Sequence, residues 1–385
     1  MKPDFIIFGA GNYNSLGVLH AVTEVNKSAF ILIVGKGKDW KNGNIIGYSK
    51  FAKNNIKEVD SPKDGVNWLI ENKNDFIKGT IIYPTGDLEE RELDLNYNSL
   101  AGSFIFPNCA TQGMVSLLMD KKIQIELAEK SGIRVLQSQY TNSEIFSFES
   151  VTFPCMVKPL NSTSGSKGDM HVCYNRKELE KALKNSRQTK DFIVQQYIEN
   201  ESDLLFLGIA LTDKNVIIPA LVKKPGVSPT GEYTHAIVTT DVESHLQQKE
   251  CVLNFIKSLN YTGPFSIEFG FAKGKNYFFE INLRNDGTSH YPLQAGVNIP
   301  MIYYDSIRGI ENKISNCIVQ YDMIDEVADL KRVLSQKISF ANWIKSLKNA
   351  GSYRYYHTSD VNLLRAIIPM FLYRLGNKLL RIITK

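Results

Sequence analysis

One stretch, Phe265 to Asn282, restricts the fold more than any other. In Phe265-Ser266-Ile267-Glu268-Phe269-Gly270-Phe271 the odd positions are apolar and the even ones polar or small, the period-two pattern of a strand with one face on a core. Tyr277 to Asn282 reads the same way, with Tyr277, Phe279 and Ile281 on one face and Glu280 and Asn282 on the other. The join, Ala272-Lys273-Gly274-Lys275-Asn276, predicts a hairpin with Gly274 inside a three-residue loop and Ala272 paired with Asn276. That register sets Glu268 opposite Glu280, with Cβ atoms ~4.5 to 5.5 Å apart. Two facing carboxylates repel, and hard divalent cations with oxygen ligands are one remedy, Asn282 standing ~6.8 Å from Glu280 on the same face. A solvated strand face with ordinary surface acids is the plainer alternative.

The 385 residues leave room for two or three domains. The first hundred alternate short apolar runs (Phe5 to Phe8, Ile31 to Val34, Thr80 to Tyr83, Ser103 to Phe106) with helical patterns near 15 to 26, 62 to 73 and 88 to 99, which predicts a parallel sheet flanked by helices. The turn Gly9-Ala10-Gly11-Asn12-Tyr13-Asn14 starts like a dinucleotide fingerprint, yet Asn14 stands where the third glycine belongs and the second strand ends in Gly35-Lys36-Gly37 without a ribose acid. A tight strand-to-helix turn in a Rossmann-like scaffold is the better reading.

A helical pattern over Thr111 to Ser131, with Met119-Asp120-Lys121-Lys122 in its middle, stops at Gly132. A Ser/Thr/Asn/Gln-rich linker follows near 138 to 150 and opens a second domain. There Val157-Lys158-Pro159 ends a strand and leads into the small-residue loop Asn161 to Gly168, where Gly165, Ser166 and Gly168 let backbone N–H groups approach anionic oxygens. It is no Walker A loop, because a strand near 170 to 173 follows it; a flexible turn is the alternative. Further strands read at 192 to 196, 204 to 211 and 215 to 222, a helix at 176 to 186, and a Pro/Gly-rich loop from Pro225 to Gly231. The end of Phe192 to Ile198 leaves groups free to hydrogen-bond a purine.

In order and spacing these pieces resemble the ATP-grasp superfamily of ligases, in particular a carboxylate-amine ligase subgroup related to D-aspartate ligases and to biotin carboxylase and carbamoyl phosphate synthetase-type domains. The resemblance implies a mixed α/β and α+β chain. A Rossmann-like pre-ATP-grasp domain (1–110) comes first, then a two-lobed ATP-grasp domain (111–320) and a helical C-terminal extension (321–385). It implies Lys121 and Lys158 on phosphates, Lys121 being chosen over Lys122 for its Asp-Lys pairing. The loop of Gly165, Ser166 and Gly168 would cover the phosphates, Gln195, Gln196 and Ile198 would surround adenine, and Asp203 would meet the ribose. Glu268, Glu280 and Asn282 would bind two magnesium ions, with Mn2+ able to substitute. Arg284 would stabilise charge on an acyl phosphate, or else pair with Asp286. Lys223, with Lys224 beside it, would reach the γ-phosphate or an acidic substrate, or else form a solvated turn. Many members carry Glu where Gln195 stands, and Asn200-Glu201-Ser202-Asp203 replaces the hinge's Gly-x-Glu. The implied function is an Mg-ATP-dependent ligase joining small-molecule carboxylate and amine substrates, on a cell-surface polysaccharide or peptidoglycan precursor; the alternative is a nucleotide sensor without turnover.

The net charge is +5, and Val361 to Lys385 holds Arg365, Arg374, Lys378, Arg381 and Lys385 with no acid, so the rest is balanced and no nucleic-acid partner is expected. Five scattered cysteines argue against a disulfide framework or zinc ribbon, which fits a reducing cytoplasm. The apolar run after Met1 is too short for a signal-peptide core, and no run reaches the ~18 residues of a spanning helix. His290 reads as a structural histidine or a substrate group, and His235 and His357 lack metal-ligand spacing. Residues 339 to 348 form an amphipathic helix, and 361 to 385 a longer basic one interrupted at Pro369. That last helix either lies on an anionic membrane, at the inner face, or packs on protein.

Overall fold

Successive residues of the first strand face different cores. The computed structural model describes residues 2–383 apart from 54, 143–145, 161–168, 186–190, 226–232, 313, 316 and 336, and side chains within that set except 331 and 377–383. In β1 (Phe5–Ala10), Phe5 and Ile7 join one cluster and Ile6 and Phe8 another, all fully buried. A strand covered on both faces must be apolar throughout, the mark of a parallel sheet. β2 (Ala29–Val34), β3 (Ile56–Val59), β4 (Thr80–Pro84) and β5 (Phe104–Ile105) complete that sheet in the order β3-β2-β1-β4-β5, all parallel. β3 escapes the sequence pattern because Ile56-Lys57-Glu58-Val59 sits on an edge and is half exposed.

The strand order reverses between β1 and β4, and at such a switch point the loops after the two strands part to leave a crevice. Gly9 and Gly11 of the β1 loop are needed for close approach, Gly9 to Thr85 and Gly11 to Gly37. Asn12 caps the helix Tyr13–Thr23 through the Asn14 N–H, 2.9 Å away. Asn14 crosses the crevice. Its amide donates to the Thr85 carbonyl at 2.7 Å and to the Asn285 carbonyl at 3.3 Å, while the Asn285 amide donates back to Asn14 Oδ1 at 2.5 Å. The residue that spoils the dinucleotide fingerprint is a clasp between two parts of the chain.

Two antiparallel sheets follow. The smaller has β6 (Ser138–Tyr140), β7 (Cys155–Pro159), β8 (His171–Cys173) and β9 (Phe192–Gln196) in the order β6-β9-β7-β8. β6 lies where the composition suggests a linker; its three half-buried residues carry too little apolar surface to betray a strand. The larger sheet has β10 (Ser202–Ala210), β11 (Val216–Pro225), β12 (His235–Thr239), β13 (Gly263–Ala272), β14 (Lys275–Asn282), β15 (Gln320–Ile324) and β16 (Ser352–Tyr353), ordered β14-β13-β10-β11-β12-β15-β16. One face of β10 and β11 (Leu205, Leu207, Ile209, Ala220, Val222) joins the core of β1 and β2, and the other (Leu204, Phe206, Leu221) packs with Val252, Phe255 and Ile256 of the helix Lys249–Ser258.

Three expectations change. The helix over 111 to 131 is two, Met114–Leu118 and Lys121–Lys130, because Asp120 has extended backbone and its carboxylate caps the second. β15 spans the expected boundary at 320, and the C-terminal extension adds β15 and β16 to the large sheet besides its helices Phe340–Asn349 and Leu364–Ile383. The final helix, Leu364–Ile383, runs through Pro369 without a break, the proline being partly exposed.

Candidate active site

Glu268 does stand opposite Glu280, with Ser266 opposite Asn282, though the chain arrives there by another route. The hairpin loop has two residues, Lys273 (φ 51°) and Gly274 (φ 73°), and it pairs Ala272 with Lys275. Positive φ at both central positions is the geometry of a primed turn, which matches strand twist. A bulge then absorbs the one-residue difference: Phe269 faces Phe278, Glu268 faces Glu280, and Phe279 is the extra residue. The bulge also overturns the expected facing of β14. Phe278 enters the core against Phe255 and Phe269, whereas Phe279 turns to the carboxylate side, with Lys158 Nζ 4.7 Å from its ring centroid.

Each carboxylate meets a lysine. Lys121, placed first in its helix by the Asp120 cap, bonds Glu280, while Lys122 lies over the Tyr140 ring at 5.4 Å. Lys121 holds the Glu280 carboxyl down to about 2. Lys224 Nζ lies 2.8 Å from Glu268 Oε1 and is buried; burial opposes its charge, and the facing Glu268 outweighs this and raises its pKa. Lys158 is 3.3 Å from Gln195 Oε1, and burial together with Lys121 pulls its ammonium below the usual lysine range. Asp203 on β10 stands opposite Lys224 on β11 and is 5% exposed; burial and then Glu268 push its carboxyl up to about 6, and Asn200 donates to it at 2.8 Å. Gln195 is buried and donates to Ser138 Oγ at 3.1 Å, Gln196 is exposed and Ile198 half-buried in the connection to β10. Gly165, Ser166 and Gly168 lie outside the described residues.

Among the described residues no three His, Cys, Asp or Glu side chains gather as a metal site. The facing Glu268 and Glu280 with the amide of Asn282 are nevertheless a hard-oxygen set suited to magnesium, which takes one or two carboxylates and completes its shell with phosphate oxygens and water. The donors fit the ion.

The ATP-grasp domain family matches residues 126–298, a span that takes in Lys158, Gln195, Glu268, Glu280 and Asn282. The chain contains an ATP-grasp domain. Curated relatives include the D-alanine–D-alanine ligase of Fervidobacterium nodosum, 26% identical over 184 residues, 45% of this chain and 57% of that protein. Another is the carbamoyl phosphate synthase large chain of Saccharolobus solfataricus, 27% identical over 158 residues, 39% of this chain and 15% of that one. This chain therefore spans less than two thirds of the length of these relatives. In solved structures the fold recurs in N5-carboxyaminoimidazole ribonucleotide synthetase from Thermus thermophilus, with TM-score 0.64, 13% identity and 87% of each chain covered. It recurs in biotin carboxylase from Campylobacter jejuni at TM-score 0.62 and 17% identity, covering 83% of this chain and 75% of that one.

Beyond its strand pair, the ATP-grasp domain draws on residues far away in sequence. Arg284, just past β14, donates through Nε to Asp87 Oδ1 at 2.6 Å, and its contact with Asp286 is a longer 3.9 Å. Asp87 follows β4 at the switch point, and that position was the signal that could have found it. Arg354, next to β16, stacks between Tyr13 and Tyr233, 5.0 and 5.1 Å from their centroids, and pairs with Asp325 at 2.7 Å. Lys224 sits 5.2 Å from the same Tyr233 ring, so Arg354 is a near neighbour of the Glu268 corner. No periodicity advertises Arg354 or Tyr13. For His290, burial holds the ring down to about 3, and Nε2 lies 3.3 Å from the Tyr353 carbonyl.

Lys223 does not join this group. Alternation along β11 turns it away from Glu268, toward His245, and gives the site Lys224 instead. Lys224→Met should weaken MgATP binding by about 10- to 100-fold, the scale of a lost charge-assisted hydrogen bond, while Lys223→Met leaves it unchanged; titration calorimetry decides.

Proposed function

We propose that this protein is an Mg-ATP-dependent ligase that forms an amide from a carboxylate and an amine through an acyl phosphate, releasing ADP. The observation that carries the reading is the Glu268/Glu280 pair, ringed by Lys121, Lys158, Lys224 and Arg284. Magnesium held by Glu268, Glu280 and Asn282 would neutralise the β- and γ-phosphates. The lysines hold and orient the triphosphate for in-line attack by a carboxylate oxygen on the γ-phosphorus, and ADP departs. The amine then attacks the acyl carbon and phosphate leaves. Arg284, fixed by Asp87, offers a planar, permanently charged fork to the developing oxyanion.

Arg354 between Tyr13 and Tyr233 suits an anionic group on the acceptor, since a guanidinium stacked on aromatic faces keeps its N–H donors for oxygen. An acidic precursor of cell-surface polysaccharide or peptidoglycan meets that requirement. The test is ADP and phosphate release over a panel of carboxylates and amines. Release should need a carboxylate, and hydroxylamine should trap the acyl phosphate as a hydroxamate. Folded, ATP-binding protein without substrate-dependent release would make it a nucleotide sensor instead.

A further inference from the structure

The last helix has two apolar faces, and the core uses one of them. Leu363, Ala366, Ile367 and Met370 are buried in the cluster that includes Phe5 and Ile7. On the opposite side Val361, Leu364, Ile368 and Leu372 are 57%, 37%, 54% and 58% exposed, at spacings of three and four that align them along one ridge. Single exposed apolar residues are ordinary, whereas a continuous row of them marks an interaction surface.

Charge identifies the partner. From Ser339 to Lys385 the chain has eight Lys and Arg side chains and one acidic side chain, Asp360. Asp360 is fully buried and is taken up by His20, Ser49 and the Lys50 N–H. Arg365 is exposed beside the ridge, while Arg374, also exposed, lies round the helix on the Leu363 side. Next to them Tyr373 meets Trp40 edge-on at 5.7 Å, with Lys41 Nζ 5.7 and 5.8 Å from the two rings, an aromatic and cationic border of the kind that settles at the headgroup level. Phe340, 59% exposed, stands beside Trp343, which stacks on Phe371 of the same helix. A second copy docked on this ridge would bring cationic flanks together, the one acid of 339–385 being buried, so self-association is disfavoured. Among the described residues no helix is long and apolar enough to cross a membrane. We propose that the ridge Val361-Leu364-Ile368-Leu372 and its cationic flanks seat this protein in the plane of an anionic lipid surface. This inference is independent of the ligase reading.

Vesicle flotation with the full chain tests it. The protein should float with vesicles of equal phosphatidylcholine and phosphatidylglycerol, stay down with phosphatidylcholine alone, and be released by salt. Ile368→Asp with Leu372→Asp should abolish flotation without moving the Tm, since both side chains are exposed. Arg365→Glu with Lys41→Glu should weaken partition on the order of thirtyfold. Wild-type protein that stays down with anionic vesicles at low salt overturns the proposal. So do variants that float like the wild type, or a dimer in light scattering that the aspartate pair dissociates.

Discussion

Glu280→Gln should stop ADP formation while leaving the fold in place. The amide keeps the size of the carboxylate and removes its charge. In the native protein that charge is secure, because Lys121 holds the carboxyl to about 2 and keeps it ionised throughout the working range. Losing an anionic ligand removes several kcal/mol of metal-assisted stabilisation, so turnover should fall by about three orders of magnitude or more. Magnesium dependence is the discriminating readout: calorimetry should show nucleotide binding that no longer tightens with added ion. Activity within tenfold of wild type would remove Glu280 from the metal set.

Arg284→Lys should separate binding from chemistry. Lysine keeps the charge but loses the planar fork and the Nε donor to Asp87, 2.6 Å away in the native protein. A group that matters mainly in the transition state lowers kcat with little change in KM for ATP, and the expected loss is about 10² to 10³. A rise in the carboxylate KM at constant kcat would make Arg284 a docking residue instead.

The facing glutamates were legible in sequence because period-two alternation marks both strands. Their predicted register nevertheless rested on a loop one residue too long, and a bulge at Phe279 cancelled the difference. Period-two reasoning cannot see a bulge, so it also put Phe279 on the wrong face. The break at Asp120 was readable as a cap, yet the unbroken apolar pattern around it argued for one helix. The choice between Lys223 and Lys224 needed the phase of β11, which two adjacent identical residues cannot supply. Asp87, Tyr13 and Arg354 come from three distant stretches, and their meeting is a property of the tertiary fold.

The clasp of Asn14 with Asn285 and Thr85 ties the segment after β14 to the loops of the parallel sheet. The glutamates, Arg284 and Asp87 therefore belong to one frame, fastened on several sides. β7 and β9 instead bury one face in a small cluster, Cys155, Val157, Cys173, Leu179, Ala182, Phe192 and Val194, while Ile193 on the other face of β9 joins the larger core. The two sheets are thus unequally backed, and local opening is cheaper in the smaller one, which has less apolar mass behind it.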